Sequence, residues 1–327
     1  MTVYYVLLFI AAVLFVGQFL FTKQFQRYNG DSLTSTLKLS FFAYLTIAVF
    51  FFVKAQVGAD GLRFGFSWFT LLMTIGIAAV SISCVYLGVK VLGIGNMSVY
   101  STFMMIGSMV LPSIVGIVFY QETKNLALKL VAIALMLGAV FFTSGGDDKK
   151  GDKKALFFYI GVFILNGLIG VLFTVHQNQP TWSAYFERVD GKAVANSDVF
   201  MSWYGISTAI LSGALLLISR LKNQRATPQS DGENSKTEGV STSRALLLSL
   251  LIAVGYGVFN GLGNYFISLS TTPNALGSSV TFPIVNGGTI VVSTLMGIVL
   301  YKEKSDWKTW VGCVLVLVST VLFMFAQ

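Results

Sequence analysis

Six side chains in this sequence place polar chemistry inside apolar surroundings: Gln18, Tyr86, Lys90, Asn260, Asn264 and Asn286. Each interrupts a stretch rich in Leu, Val, Ile, Phe and Ala. An unpaired polar group is costly there, so each marks the path of a polar solute or a hydrogen bond between helices. Asn and Gln both donate and accept hydrogen bonds, which suits hydroxyls, amides or zwitterions better than bare charges. Tyr86 and Lys90 are four residues apart, as are Asn260 and Asn264, so each pair shares one helix face. Lys90 either faces a cavity, where it would hold a carboxylate or phosphate, or snorkels to the interface from near the end of its span. Lys38 invites the same argument more weakly. Asn166, Tyr256 and Tyr265 extend the polar set, and the segment GYGVFNGLGNYF around Asn260 is expected to be loosened by its four glycines.

Other reactive groups point away from catalysis. His176 is the single histidine, which rules out a two-histidine metal site, and it reads as a solvated helix end running into QNQP. Cys84 and Cys313 lie within apolar runs and read as small buried hydrophobes. Glu122 and Glu303 each precede a helix whose N-terminal dipole favours negative charge. No nucleophile has a plausible base, no phosphate-binding G-x-x-x-x-G-K-[ST] loop occurs, and no cofactor is implied. The expectation is a protein that is not an enzyme.

The elements that must carry these residues are membrane helices. The 327-residue chain is 55% hydrophobic and only 11% charged, where a soluble domain shows roughly 25%. Runs near the length needed to cross a bilayer cover about 3–22, 34–53, 66–90, 98–120, 126–143, 156–176, 199–219, 245–268, 275–300 and 308–325. Backbone amides in lipid must be satisfied within the segment, so these runs are helices. Barrel strands would alternate apolar and polar residues. The first run lacks a basic start and a cleavage pattern and reads as a retained span. The net charge of +8 reflects basic residues between spans, not nucleic-acid binding. Loop 220–244 reads as a flexible linker, whereas the aromatics near residues 182–186 suit the membrane interface.

One phrase is written twice. GIVFYQE at 116–122 returns as GIVLYKE at 297–303, offset by 181, and each copy leads through a short polar turn into another apolar helix. A weaker echo sets FVGQFLFTK (15–23) against LIGVLFTVH (168–176), offset by 153. The loops of the second half absorb the difference. The chain therefore divides into five-span units at 1–145 and 156–327, joined by a loop at 146–155. Five crossings are odd, so the second copy enters upside down. This gives an all-α integral membrane fold of ten transmembrane helices, arranged as two inverted five-helix repeats around a central cavity.

On LFVGQFLFTK, the two Gly-Ile-Val-x-Tyr-x-Glu endings, Pro112 and Pro283, the sequence resembles the drug/metabolite transporter superfamily in its ten-helix EamA-like form. That resemblance implies secondary transport and a basket of helices in which spans five and ten pack instead of lining the path. The sequence departs from the related small multidrug group, whose first span holds a carboxylate. Gln18 stands in that region, and all 14 acidic residues fall outside the spans or at their edges. Charge and resemblance disagree about orientation. Of the 22 basic residues, 16 lie on the side opposite the termini, which puts both termini outside; the resemblance puts both inside.

The expected function is movement of a small polar metabolite (an amino acid, a sugar or a related neutral, zwitterionic or anionic solute) across the plasma or inner membrane. Its partners would be the small-molecule substrate and the lipid bilayer, with proton or counter-substrate coupling. The rival readings are efflux of lipophilic toxic compounds, and a non-transporting membrane scaffold or receptor.

Overall fold

The structure is a computed structural model that describes residues 2–57, 66–94, 97–143, 153–178, 196–226, 242–271, 275–302 and 307–326. Among the described residues its elements are ten helices: α1 Thr2–Asn29, α2 Leu33–Val57, α3 Trp68–Ile94, α4 Met97–Phe119, α5 Leu126–Thr143, α6 Lys153–Gln177, α7 Ser197–Ala226, α8 Thr242–Ser270, α9 Ser278–Tyr301 and α10 Trp307–Phe325. No strand occurs among the described residues. Nine of the helices are long and apolar enough to cross a membrane, and the tenth, α5, holds a shorter apolar stretch. The chain is a multi-pass helical membrane protein.

The helices overrun the apolar runs that predict them. Helix α1 continues through Lys23 and Arg27, and α7 continues through Arg220 and Lys222 to Ala226. Cations near a helix C-terminus favour the dipole there, so hydropathy ends before helicity does. Most of the expected linker 220–244 is thus reduced to residues 227–241, which lie outside the described residues, as do the interfacial aromatics near 182–186 and Glu303. The four glycines around Asn260 do not loosen α8, which is continuous. They admit neighbours instead: a Cβ on Gly263 would stand 3.0 Å from the Phe15 ring. Close helix approach is the membrane use of small residues.

Successive helices run in alternate directions, and side-chain bonds identify two faces. At the near face, which carries Thr2 and Phe325, Lys54 meets Asp198 and Asn125 Nδ2 donates to the Phe325 carbonyl at 3.4 Å. At the far face, Asn29 meets Ser249 at 3.0 Å and Thr34 meets Ser219 at 3.4 Å. Helix α2 packs on α7, α4 on α9 and α5 on α10. The pairs α1–α8 and α6–α3, α4–α6 and α9–α1, and α3–α7 and α8–α2 also pack extensively. Exchanging each of α1–α5 with the helix five later carries every one of these pairs onto another or onto itself.

Both copies of the repeated phrase turn out of the helix through a left-handed residue at the same position of the phrase. Gln121 has φ 54° and Lys302 has φ 53°, so each closes its helix with a left-handed residue. The Glu122 amide donates to the Gly116 carbonyl at 3.1 Å, and the Lys302 amide donates to the Gly297 carbonyl. The phrase is a helix stop.

Candidate functional site

Eight helices enclose a central cavity of about 60 Å³; α5 and α10 contribute no lining residue. It lies between two hydrophobic clusters, one containing Phe15, Tyr44 and Phe282, the other Cys84 and Met105. The volume admits a few water molecules or a small solute.

The structure brings Gln18, Asn260, Asn264 and Asn286 to this cavity. Gln18 Nε2 donates to the Tyr256 hydroxyl at 3.1 Å, tying α1 to α8. One turn along α8, Asn264 Nδ2 donates to Asn260 Oδ1 at 3.1 Å and to its carbonyl at 2.9 Å. Asn166 also lines the cavity, but its amide is occupied by the Met104 carbonyl at 2.8 Å, the helix-joining role. Two atoms stand apart from this pairing. Gln18 Oε1 and Asn286 Nδ2 have no hydrogen-bond partner among the described residues, although their residues are only 4% and 3% exposed. A buried polar atom left unpaired costs about 1–3 kcal/mol. This acceptor and this donor are therefore places where water or a bound solute gains most.

Tyr86 and Lys90 lie outside the cavity. Lys90 is half-exposed at the far face, with Nζ 3.0 Å from Asp31 Oδ2. The Lys90 hydrogen bond, reinforced by its charge, holds the Asp31 carboxyl below its ordinary range. Lys90 is the snorkelling lysine of the two alternatives.

Two expectations need correction. His176 is not a solvated helix end. It is fully buried, stacked on Phe200 with centroids 4.0 Å apart and 3.1 Å from Thr70 Oγ1, because α3 and α7 pack over the end of α6. Glu122 does not serve the helix that follows it. Its carboxylate accepts from the Ser279 amide at 3.0 Å and from Ser278 Oγ at 3.0 Å, capping α9 across the fold. Gly116 makes room for this, since a Cβ there would lie 2.9 Å from Ser278 Oγ. Lys129 completes the junction, donating to the Glu122 carbonyl at 2.6 Å and to Ser279 Oγ at 2.9 Å.

Two groupings escape sequence reasoning. Ser81, Tyr204 and Tyr44 form a hydroxyl chain beside the cavity, with both links 2.9 Å. Serine and tyrosine are common in such helices, and nothing in their spacing across three helices signals the chain. At the near face, Lys54 Nζ reaches both Asp198 oxygens at 2.6 and 2.7 Å and the Tyr265 hydroxyl at 2.8 Å, joining α2, α7 and α8. The available signal is that Asp198 opens a span and Lys54 sits inside the end of another.

Among the described residues, no charged side chain lines the central cavity. Among the described residues, no group of three or more His, Cys, Asp or Glu side chains is placed to hold a metal ion. The arrangement can bind by hydrogen bonds and aromatic contact.

No protein-family model matches the chain, and no curated protein matches it. Similarity appears among solved structures, where 26 chains match. One, a crystal structure of a protein, superimposes with a TM-score of 0.60 at 13% identity over 96% of this chain and 97% of that one. That likeness speaks to the fold alone, over nearly the full length of both.

Proposed function

We propose that the protein is a secondary transporter of the drug/metabolite transporter superfamily, of the ten-helix EamA-like kind, moving a small polar organic solute across the cell membrane by alternating access. The observation that carries this reading is the central cavity. It is uncharged and enclosed by eight of ten helices, and it presents an unpaired acceptor, Gln18 Oε1, and an unpaired donor, Asn286 Nδ2. A charged solute would meet no counter-charge there, so the cavity favours a neutral or zwitterionic metabolite over an anion. The packing pattern supports two inverted five-helix repeats, because exchanging helices five apart carries the most extensive packing pairs onto one another. Rocking of one repeat against the other would expose the cavity to each face in turn.

The test is flux in liposomes. Purified protein, assayed against a panel of amino acids, sugars and related neutral metabolites with and without a pH gradient, is expected to give saturable uptake or exchange of at least one. Absence of flux for the whole panel contradicts the reading. A second reading has its own support: six aromatic rings, those of Phe15, Tyr44, Phe173, Tyr204, Tyr256 and Phe282, line the cavity and suit efflux of lipophilic compounds. Resistance profiles of cells with and without the gene separate the two.

A further inference from the structure

The far face carries a second concavity that the central cavity does not use. It is a groove of about 690 Å³ bounded by α1, α2, α7 and α8. Along α7 its lining runs from Gly213 to Arg220, a rise of about 10 Å. It therefore spans from the membrane interface well into hydrocarbon. The walls are apolar, formed by Phe41, Phe42, Leu216, Leu217, Leu247 and Leu250. Leu217 and Leu247 remain 62% and 57% exposed, so packing within the chain does not cover them. Gly213 keeps the floor open, since a Cβ there would lie 3.1 Å from the Phe41 ring.

The outer part is cationic. Lys38 and Arg220 both line the groove, and neither has an ion-pair partner among the described residues. The bond between Thr34 and Ser219 fixes the level of Arg220 near the start of α2, one turn outward of Lys38. The polar rim groups Asn29 and Ser249 bond to each other at 3.0 Å and leave both cations free to engage an anion. A soluble anion would satisfy the cations and leave the apolar walls bare. A neutral acyl chain would do the reverse. The sequence assigns 16 of the 22 basic residues to this side; on that charge count, and against the orientation the resemblance implies, this side meets the cytoplasmic leaflet, where anionic lipids reside.

From this charge and shape complementarity we propose that the groove is a binding site for an anionic phospholipid. Its phosphate lies between Lys38 and Arg220, and one acyl chain lies along Phe41, Leu217 and Leu250. The proposal stands independently of what the central cavity carries.

The test is native mass spectrometry of the full chain in neutral detergent with equal phosphatidylglycerol and phosphatidylcholine. Wild type is expected to retain phosphatidylglycerol at least about fivefold over phosphatidylcholine. The K38Q/R220Q variant should lose most of that preference, and K38R/R220K should keep it. The groove-filling L247W variant, which alters an exposed side chain and no charge, should weaken retention. The pair K302Q/K308Q, basic residues outside the groove, should change little. Melting curves identify any variant that fails to fold, and L247W against K38R/R220K then decides. Equal loss in the two charge-neutralised pairs overturns the site in favour of diffuse attraction. Displacement of the lipid by millimolar inorganic phosphate overturns it in favour of a soluble anion. Concentration-dependent dimers that disappear in L247W overturn it in favour of a second copy of the chain.

Discussion

The near and far faces are held together by different chemistry. At the near face, charged groups bridge several helices at once. Lys54 joins α2, α7 and α8 through Asp198 and Tyr265, while Glu122 and Lys129 fasten the α4–α5 turn to the start of α9. At the far face the described ties are pairwise: the exposed Lys90–Asp31 pair and the bonds of Gln26 with the Val89 carbonyl, Asn29 with Ser249 and Thr34 with Ser219. Next to them the groove stands open. Among the described residues, the cavity lies between an end bridged by charged groups and one tied pairwise. In the proposed carrier this is the asymmetry expected of one state, with the near face closed, and the near-face ties would be the contacts that part for the other.

The contrast breaks first at Lys54. Lys54→Met leaves Asp198, whose side chain is only 17% exposed, facing Tyr265 without its cation. Loss of one partner from a buried pair costs about 3–5 kcal/mol; the 39% exposure of Lys54 lowers the expectation to roughly 2 kcal/mol. Thermal melting of the purified protein measures it, and Asp198→Asn added to Lys54→Met should return part of the loss. Glu122→Ala removes the cap from α9 and is expected to cost about 1–2 kcal/mol in the same assay. A null result in both would mean that the near-face ties do not hold that end.

Between the faces, the cavity gives a prediction of opposite character. Asn286→Leu removes an unpaired buried donor, so stability should stay within about 1 kcal/mol of wild type or rise. Solute flux should nevertheless fall at least about tenfold. Loss of stability with flux intact would assign Asn286 to packing instead.

The smallest effect belongs to the far face. Lys90 depresses the Asp31 carboxyl, so the pair contributes above the ordinary carboxylate range and is lost as pH falls through the folded-state value. The pair is exposed, and its worth is under about 1 kcal/mol. Asp31→Asn should melt with wild type at pH 7 and show slightly less loss than wild type on acidification. A large destabilisation would remove the distinction between the faces.

The fold was legible because lipid restricts the backbone to continuous helices, and ten apolar runs announce themselves. Their ends were not, because Arg27, Arg220 and Lys222 lower hydropathy while favouring the last helical turns. Of the candidate site, Gln18, Asn260, Asn264 and Asn286 stood out as amides in apolar surroundings, and the fold gathers them. Lys90 stood out equally but follows its charge to the surface. What a single sequence could not yield are partnerships between distant segments. Glu122 looks like the cap of the next helix and instead caps a helix 156 residues on. His176 looks like an exposed end and is covered by α3 and α7. The doubled phrase marks a left-handed helix stop in both halves, a backbone role that residue chemistry alone does not display.

The central claim is that the amide-lined cavity opens to each face in turn. It is tested most directly by labelling Asn264→Cys, in a background with Cys84 and Cys313 replaced by serine, with a membrane-impermeant thiol reagent in sealed vesicles of known orientation. The account predicts labelling from either side, with near-side labelling abolished when Lys54→Cys and Asp198→Cys are cross-linked. Labelling from one side only, whatever the state of that cross-link, would contradict it.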